Sequence, residues 1–185
     1  ERIREELLKI LDSKDSVKWL RVLDTLGILS GIIPELECAR GVAQPVEHHW
    51  DVFDHSIETV GEIERLLQLS DNGVNKLDIS VPKFQGMRRY FDQLVSDSHR
   101  RLSLLKLAGL LHDVSKPATK TVESSGKVRF LGHASEGAKV AKEVLERLRF
   151  SGKGVEYVVG LVEHHLRPGQ LARRGELPSS RAIYR

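Results

Sequence analysis

The run Leu104-Leu105-Lys106-Leu107-Ala108-Gly109-Leu110-Leu111 ends on His112-Asp113. A segment this apolar has no polar face to offer water, so other elements must surround it. No apolar stretch reaches the ~18 residues that a bilayer span needs, so the burial is in protein and not in lipid. The stretch 98–114, closed by Pro117, is therefore the expected central buried helix. Its end carries two metal-ligand side chains about 100° apart on one helical turn, so both can reach one ion. Imidazole nitrogen and carboxylate oxygen suit divalent first-row metals.

The surrounding chain has the spacing of amphipathic helices over 2–12, 17–26, 51–69, 133–148 and 155–166, with a short helix near 91–95. Gly27 stops the second of these and Pro168-Gly169 the last. Two β-branched stretches, 119–123 and 128–131, flank Ser124-Ser125-Gly126-Lys127 and predict a hairpin. A further helix is expected from Pro178-Ser179-Ser180, whereas 35–50 and 71–84 read as loops. The expected architecture is an all-α helical bundle with one small β-hairpin.

Composition narrows the function classes. The chain is 40% hydrophobic and 30% charged, as globular domains are. Aromatics make up only 5%, so stacking on nucleic-acid bases is not expected to dominate binding. One cysteine, Cys38, excludes an internal disulfide and fits a reducing compartment, and a cytoplasmic location is the expectation. The charged opening Glu1-Arg2-Ile3-Arg4-Glu5-Glu6 is unlike a signal peptide. It lies inside a helical pattern without an initiating methionine, which points to a piece of a longer protein. From 166 to 185 there are five arginines against one acid, Glu176. Such a stripe either attracts phosphate, with Arg173 and Arg174 as the candidate RNA-binding pair, or is a solvated tail.

The ligand types fall at helix ends. His55 lies near the start of one helix, and His112-Asp113 closes another. His133 opens a third directly after the hairpin, and His164-His165 closes a fourth. A lone helical histidine is more often a core or surface residue. Four ligand-bearing helix ends in this order can converge in a bundle interior, as helix-built metal sites do.

The order His…His-Asp…His…His resembles the HD superfamily of metal-dependent phosphohydrolases. Leu111-His112-Asp113-Val114-Ser115-Lys116-Pro117, followed by a hairpin and Gly132-His133, is similar to the HD domain of bacterial tRNA nucleotidyltransferases and poly(A) polymerase-like proteins. Residues 2–11, Leu26-Gly27-Ile28-Leu29 and Ile33-Pro34-Glu35-Leu36 resemble that family's RNA-binding neck. The resemblance implies a neck over 1–46 and an HD domain over 47–185, with an insertion at about 71–99. It implies His55, His112 and Asp113 as upstream metal ligands and His133 and His164 as ligands of a second ion. Lys116 would lie near the substrate phosphate. Asp113 and Lys116 would be the catalytic pair, with Lys120, Arg129 and Arg167 as further phosphate-binding cations. One or two divalent ions are expected, with Mn, Fe, Co, Ni or Zn favoured over Mg by the histidine-rich donor set. The implied substrates are phosphoesters, nucleotides or cyclic phosphates, with tRNA or RNA as a partner.

One departure is serious. The superfamily's closing Asp lies on a later helix, and no Asp follows Asp113 in this chain. Water, Glu163, His165 or a segment beyond Arg185 would have to complete the site. The paired carboxylates of a nucleotidyltransferase head are absent too, so the chain is not expected to add nucleotides itself. Quieter expectations stand beside these. His165 is expected to point away from the site, because adjacent helical residues diverge. His48, His49, His99 and Glu163 are expected at the surface and Trp19 in the core. A non-catalytic RNA-binding module and a nucleotide sensor are the alternatives to a hydrolase.

Overall fold

A computed structural model describes residues 1–44, 49–71, 84–96, 99–172, 179 and 181. Its elements are α1 (Arg2–Asp12), α2 (Ser16–Thr25), α3 (Ile28–Ile32), a 3-10 turn (Pro34–Ala39), α4 (Val52–Asp71), α5 (Met87–Asp92), β1 (Leu94–Ser96) and β2 (His99–Arg100). There follow α6 (Arg101–Leu111), α7 (Lys116–Thr119), β3 (Lys120–Val122), β4 (Val128–Phe130), α8 (His133–Arg147), α9 (Gly152–His164) and α10 (Arg167–Ala172). The protein is all-α, and its only sheets among the described residues are two antiparallel pairs. No described helix is long and apolar enough to cross a membrane.

Helix α6 is the axis of the bundle. Ser103, Leu104 and every residue from Lys106 to Leu111 are buried, so the helix is enclosed nearly all round. Gly109 lets it lie close to α4: a Cβ at that position would stand 2.9 Å from Ile63 Cδ1 and 3.3 Å from Thr59 Cγ2. One continuous apolar cluster runs from Leu7, Leu8 and Leu11 of α1 through Ile57, Val60 and Leu107 to Val144, Val158 and Val162. Burying such side chains contributes roughly 1.5–3 kcal/mol each and dominates the stability of the fold.

The one buried charge of α6 is compensated. Lys106 is 2% exposed, and its Nζ donates to Ser13 O at 3.0 Å, Ser16 Oγ at 3.0 Å and Glu64 Oε1 at 2.8 Å. All three ammonium protons are thus satisfied where water is excluded. Glu64 Oε1 also accepts from Ser16 N at 2.9 Å. This knot ties the α1–α2 turn to both α4 and α6.

Several expectations are corrected. The central helix starts at Arg101 and not at 98, because His99–Arg100 pairs as β2 with β1, Leu94 facing Arg100 and Ser96 facing His99. A second two-stranded sheet therefore stands where only a helix near 91–95 was expected. The 35–50 loop contains a 3-10 turn, opened by Pro34. Pro168 does not end helical structure, since it sits in the first turn of α10, where proline's missing N–H costs nothing. His99 is buried, with Nε2 3.3 Å from Glu5 Oε1, whereas Trp19 is 44% exposed. The helix expected from Pro178 lies largely outside the described residues.

Candidate metal centre

Four elements deliver side chains to one point. At the start of α4, Asp51 Oδ1 accepts from Asp54 N at 2.7 Å and caps the first turn, which sets His55 one turn in. At the end of α6, the buried run stops at His112 and Asp113. At the start of α8, Gly132 adopts φ 80°, a left-handed conformation that favours glycine, and turns the chain from the hairpin into His133. At the end of α9, His165 is the C-cap residue.

Asp113 is the hub and is 2% exposed. Its Oδ2 lies 2.9 Å from His112 Nε2, 3.5 Å from His55 Nε2 and 2.7 Å from Lys116 Nζ. Its Oδ1 lies 3.3 Å from His133 Nε2 and 3.7 Å from His165 Nε2. Two triads result, His55–His112–Asp113 and Asp113–His133–His165, each with its ligand atoms within 4.8 Å of one another. They share the one carboxylate.

The rings are oriented by the backbone. The Nδ1–H of His112 donates to Gly109 O at 2.7 Å, that of His133 to Phe130 O at 2.6 Å and that of His165 to Val162 O at 2.7 Å. A carbonyl only accepts, so Nδ1 must carry the proton in all three. In the neutral ring the lone pair is then on Nε2, aimed at Asp113. Such backbone acceptors fix the tautomer of metal-ligating histidines.

The electrostatics call for positive charge. Burial pushes the Asp113 carboxyl up, but its polar and positive neighbours His112, His133 and Lys116 outweigh this and hold it far below the usual carboxylate range. Burial pushes His165 down, and its hydrogen bond to Val162 and the charge of Asp113 only partly offset this. Asp113 Oδ1 has no hydrogen-bond donor among the described residues. A buried ionised oxygen without a donor is costly, and inward-facing nitrogen lone pairs around it would repel it. A cation at each triad resolves both problems, so the residues fit a divalent metal.

The remaining site residues are placed as follows. Lys116 is buried, its Nζ 2.6 Å from Gln44 Oε1 and 5.4 Å from the Phe130 ring centroid. Lys120 pairs with Phe130 across the hairpin and so shares its face. Arg129 lies on the opposite face and donates to Glu123 at 2.8 Å, away from the cluster. Arg167 is half-buried at the start of α10. Arg173 and Arg174 lie outside the described residues.

His164 is the clearest correction. It is exposed and belongs to neither triad, and its neighbour His165 takes the inward place. The buried face of α9 is Gly154, Val158 and Val162. Continuing that 3.6-residue period from Val162 leads to His165, whereas His164 falls about 200° round the helix. The phase of α9 was therefore a readable signal. Gln44 lies in a loop with no periodic pattern, and nothing in the sequence marks it.

The HD domain family model matches residues 52–184, and the model described as "Probable RNA and SrmB- binding site of polymerase A" matches residues 1–39. The A-adding tRNA nucleotidyltransferase of Deinococcus radiodurans is 30% identical over 167 residues, which cover 90% of this chain and 31% of that protein. The CC-adding tRNA nucleotidyltransferase of Thermus thermophilus is 32% identical over 167 residues, with the same coverage of 90% and 31%. A bifunctional uridylyltransferase/uridylyl-removing enzyme of Bradyrhizobium sp. is 25% identical over 177 residues, 95% of this chain and 16% of that protein. The chain thus spans 31% or less of the length of these relatives. The gathered His and Asp side chains, the helical bundle around them and the match over 52–184 lead to one conclusion: the chain belongs to the HD domain family.

Proposed function

We propose that this chain is a metal-dependent phosphohydrolase domain of a tRNA nucleotidyltransferase-like protein, acting on phosphoesters or nucleotides. The neck would be residues 1–46 and the HD domain 47–185. The observation that carries the reading is the buried, donor-less Oδ1 of Asp113, in a carboxylate shared by two triads of oriented imidazoles. His55, His112 and Asp113 would hold one divalent ion, and Asp113, His133 and His165 a second. When bound, such ions supply Lewis acidity and ease deprotonation of water. Asp113 fixes the geometry of both positions. Lys116 brings an ammonium beside the carboxylate and would neutralise charge on a phosphoryl oxygen in the transition state. The relatives whose names include removal of a uridylyl group favour a domain that cleaves over one that adds.

The test is metal analysis of the purified protein together with turnover of bis-p-nitrophenyl phosphate under Mn, Co and Ni. Metal-dependent turnover lost in Asp113→Asn is expected. A protein that binds none of these ions and turns over nothing would sink the hydrolase reading. A second reading, an RNA-binding module, is favoured by the match over residues 1–39 and by the arginine-rich 166–185 segment. It predicts tRNA binding that weakens with salt and with Arg173→Ala plus Arg174→Ala.

A further inference from the structure

We propose that Gln44 is a positioning residue for Lys116, holding its ammonium beside the shared carboxylate while freeing the oxygen that a cation must take. The inference rests on the metal-site reading above. Lys116 Nζ lies 2.7 Å from Asp113 Oδ2, the same oxygen that His112 and His55 approach. The ammonium therefore sits on the ligand oxygen of the first triad. A cation entering that triad has to displace it. An ammonium this buried resists displacement unless another acceptor is at hand, because the alternative is an unpaired buried charge. Gln44 Oε1, 2.6 Å from Nζ, is that acceptor.

The amide is held for this task. Its Nε2 donates to Trp50 O at 3.3 Å and to Asp51 O at 3.4 Å. An ammonium only donates and a carbonyl only accepts, so these partners fix which end of the amide faces Lys116. Asp51 in turn caps α4, the helix that carries His55, and accepts from Gly41 N at 2.6 Å. Gln44 thus couples the lysine to the loop that positions the first triad. The Phe130 ring, 5.4 Å from Nζ, completes the seat. With both supports the ammonium can leave Oδ2 without leaving the site, and there meet a phosphoryl oxygen.

The test uses four proteins: the wild type, Gln44→Met, Lys116→Met and the double variant. Thermal melts of the metal-free proteins form a double-mutant cycle. Non-additive shifts are expected, and additive shifts overturn the proposal. Calorimetric titration with Mn is the second readout. Loss of one hydrogen-bonding acceptor should make Gln44→Met bind Mn about fivefold more weakly than the wild type. Lys116→Met should bind at least as tightly as the wild type, and the double variant should match Lys116→Met. Equal affinity of the wild type and Gln44→Met overturns the proposal. Absence of Mn binding in every variant, Lys116→Met included, overturns the hydrolase reading instead, and the metal-free melts then decide Gln44 on their own. Gln44→Ala repeats both measurements where methionine packs poorly.

Discussion

His133 and His165 face each other through their Nε2 atoms at 3.2 Å, while each ring has its Nδ1–H committed to a backbone carbonyl. In their neutral forms two lone pairs meet at that distance, an unfavourable contact that a metal ion in the second triad would relieve. His165→Gln should therefore weaken metal binding by roughly ten- to a hundredfold, as loss of an oriented partner does in other metal sites. His164→Gln should leave it unchanged. Calorimetric titration with Mn or Co separates the two, and an equal loss in both variants would contradict the geometry.

Asp113 is common to both triads, so its replacement should remove both ions together. Asp113→Asn is expected to lower metal content by on the order of a hundredfold or more, since a direct ligand should matter at least as much as its supporting partners. Elemental analysis after equilibrium dialysis reads this directly. Retention of one full equivalent of metal would show that one triad stands without the carboxylate.

Acid should destabilise the metal-free protein in two steps. His165 has a folded pKa below its ordinary value, so its stabilising contribution is complete above ~6.5 and is lost as pH falls from there. Asp113 is also depressed, and its contribution is lost only below the ordinary carboxylate range near ~4. Melting temperature recorded from pH 8 to pH 5 should therefore begin to fall near pH 6.5. The slope of that fall should be smaller in His165→Gln.

The Lys106–Glu64 pair offers a stability test away from the centre. Lys106 is 2% and Glu64 11% exposed, so removing one partner strands the other. Lys106→Met should cost about 3–5 kcal/mol, the range for breaking a buried ion pair. Adding Glu64→Leu should recover only part of this, because Ser16 N then loses its acceptor. Denaturant unfolding checks both variants, and a Lys106→Met loss under ~1 kcal/mol would contradict the burial.

Helical phase and turn chemistry made much of this fold legible. The apolar run 104–111 required an enclosed helix, and α6 is one. Ser124 to Lys127 marked the β3–β4 hairpin, whose strands pair Lys120 with Phe130 and Val122 with Val128. The meeting of His55, His112, Asp113 and His133 was readable from ligand types at helix ends. The β1–β2 pair was not, because two or three residues per strand leave no periodic trace. Gln44 was illegible for a different reason: its contact with Lys116 spans 72 positions and depends on how a loop folds back. The choice between His164 and His165 needed only the buried period of α9, which the general divergence of neighbouring residues obscured.

The Phe130 carbonyl that accepts the His133 Nδ1–H lies at the end of a short strand held to β3 by backbone pairing, with the Arg129–Glu123 bond beside it. The aim of one imidazole thus hangs on a ribbon of three residues a side whose turn lies out in solvent. Anything that grips or prises open that turn would swing the ring out of line, and so disarm half of the centre without touching a single residue within it.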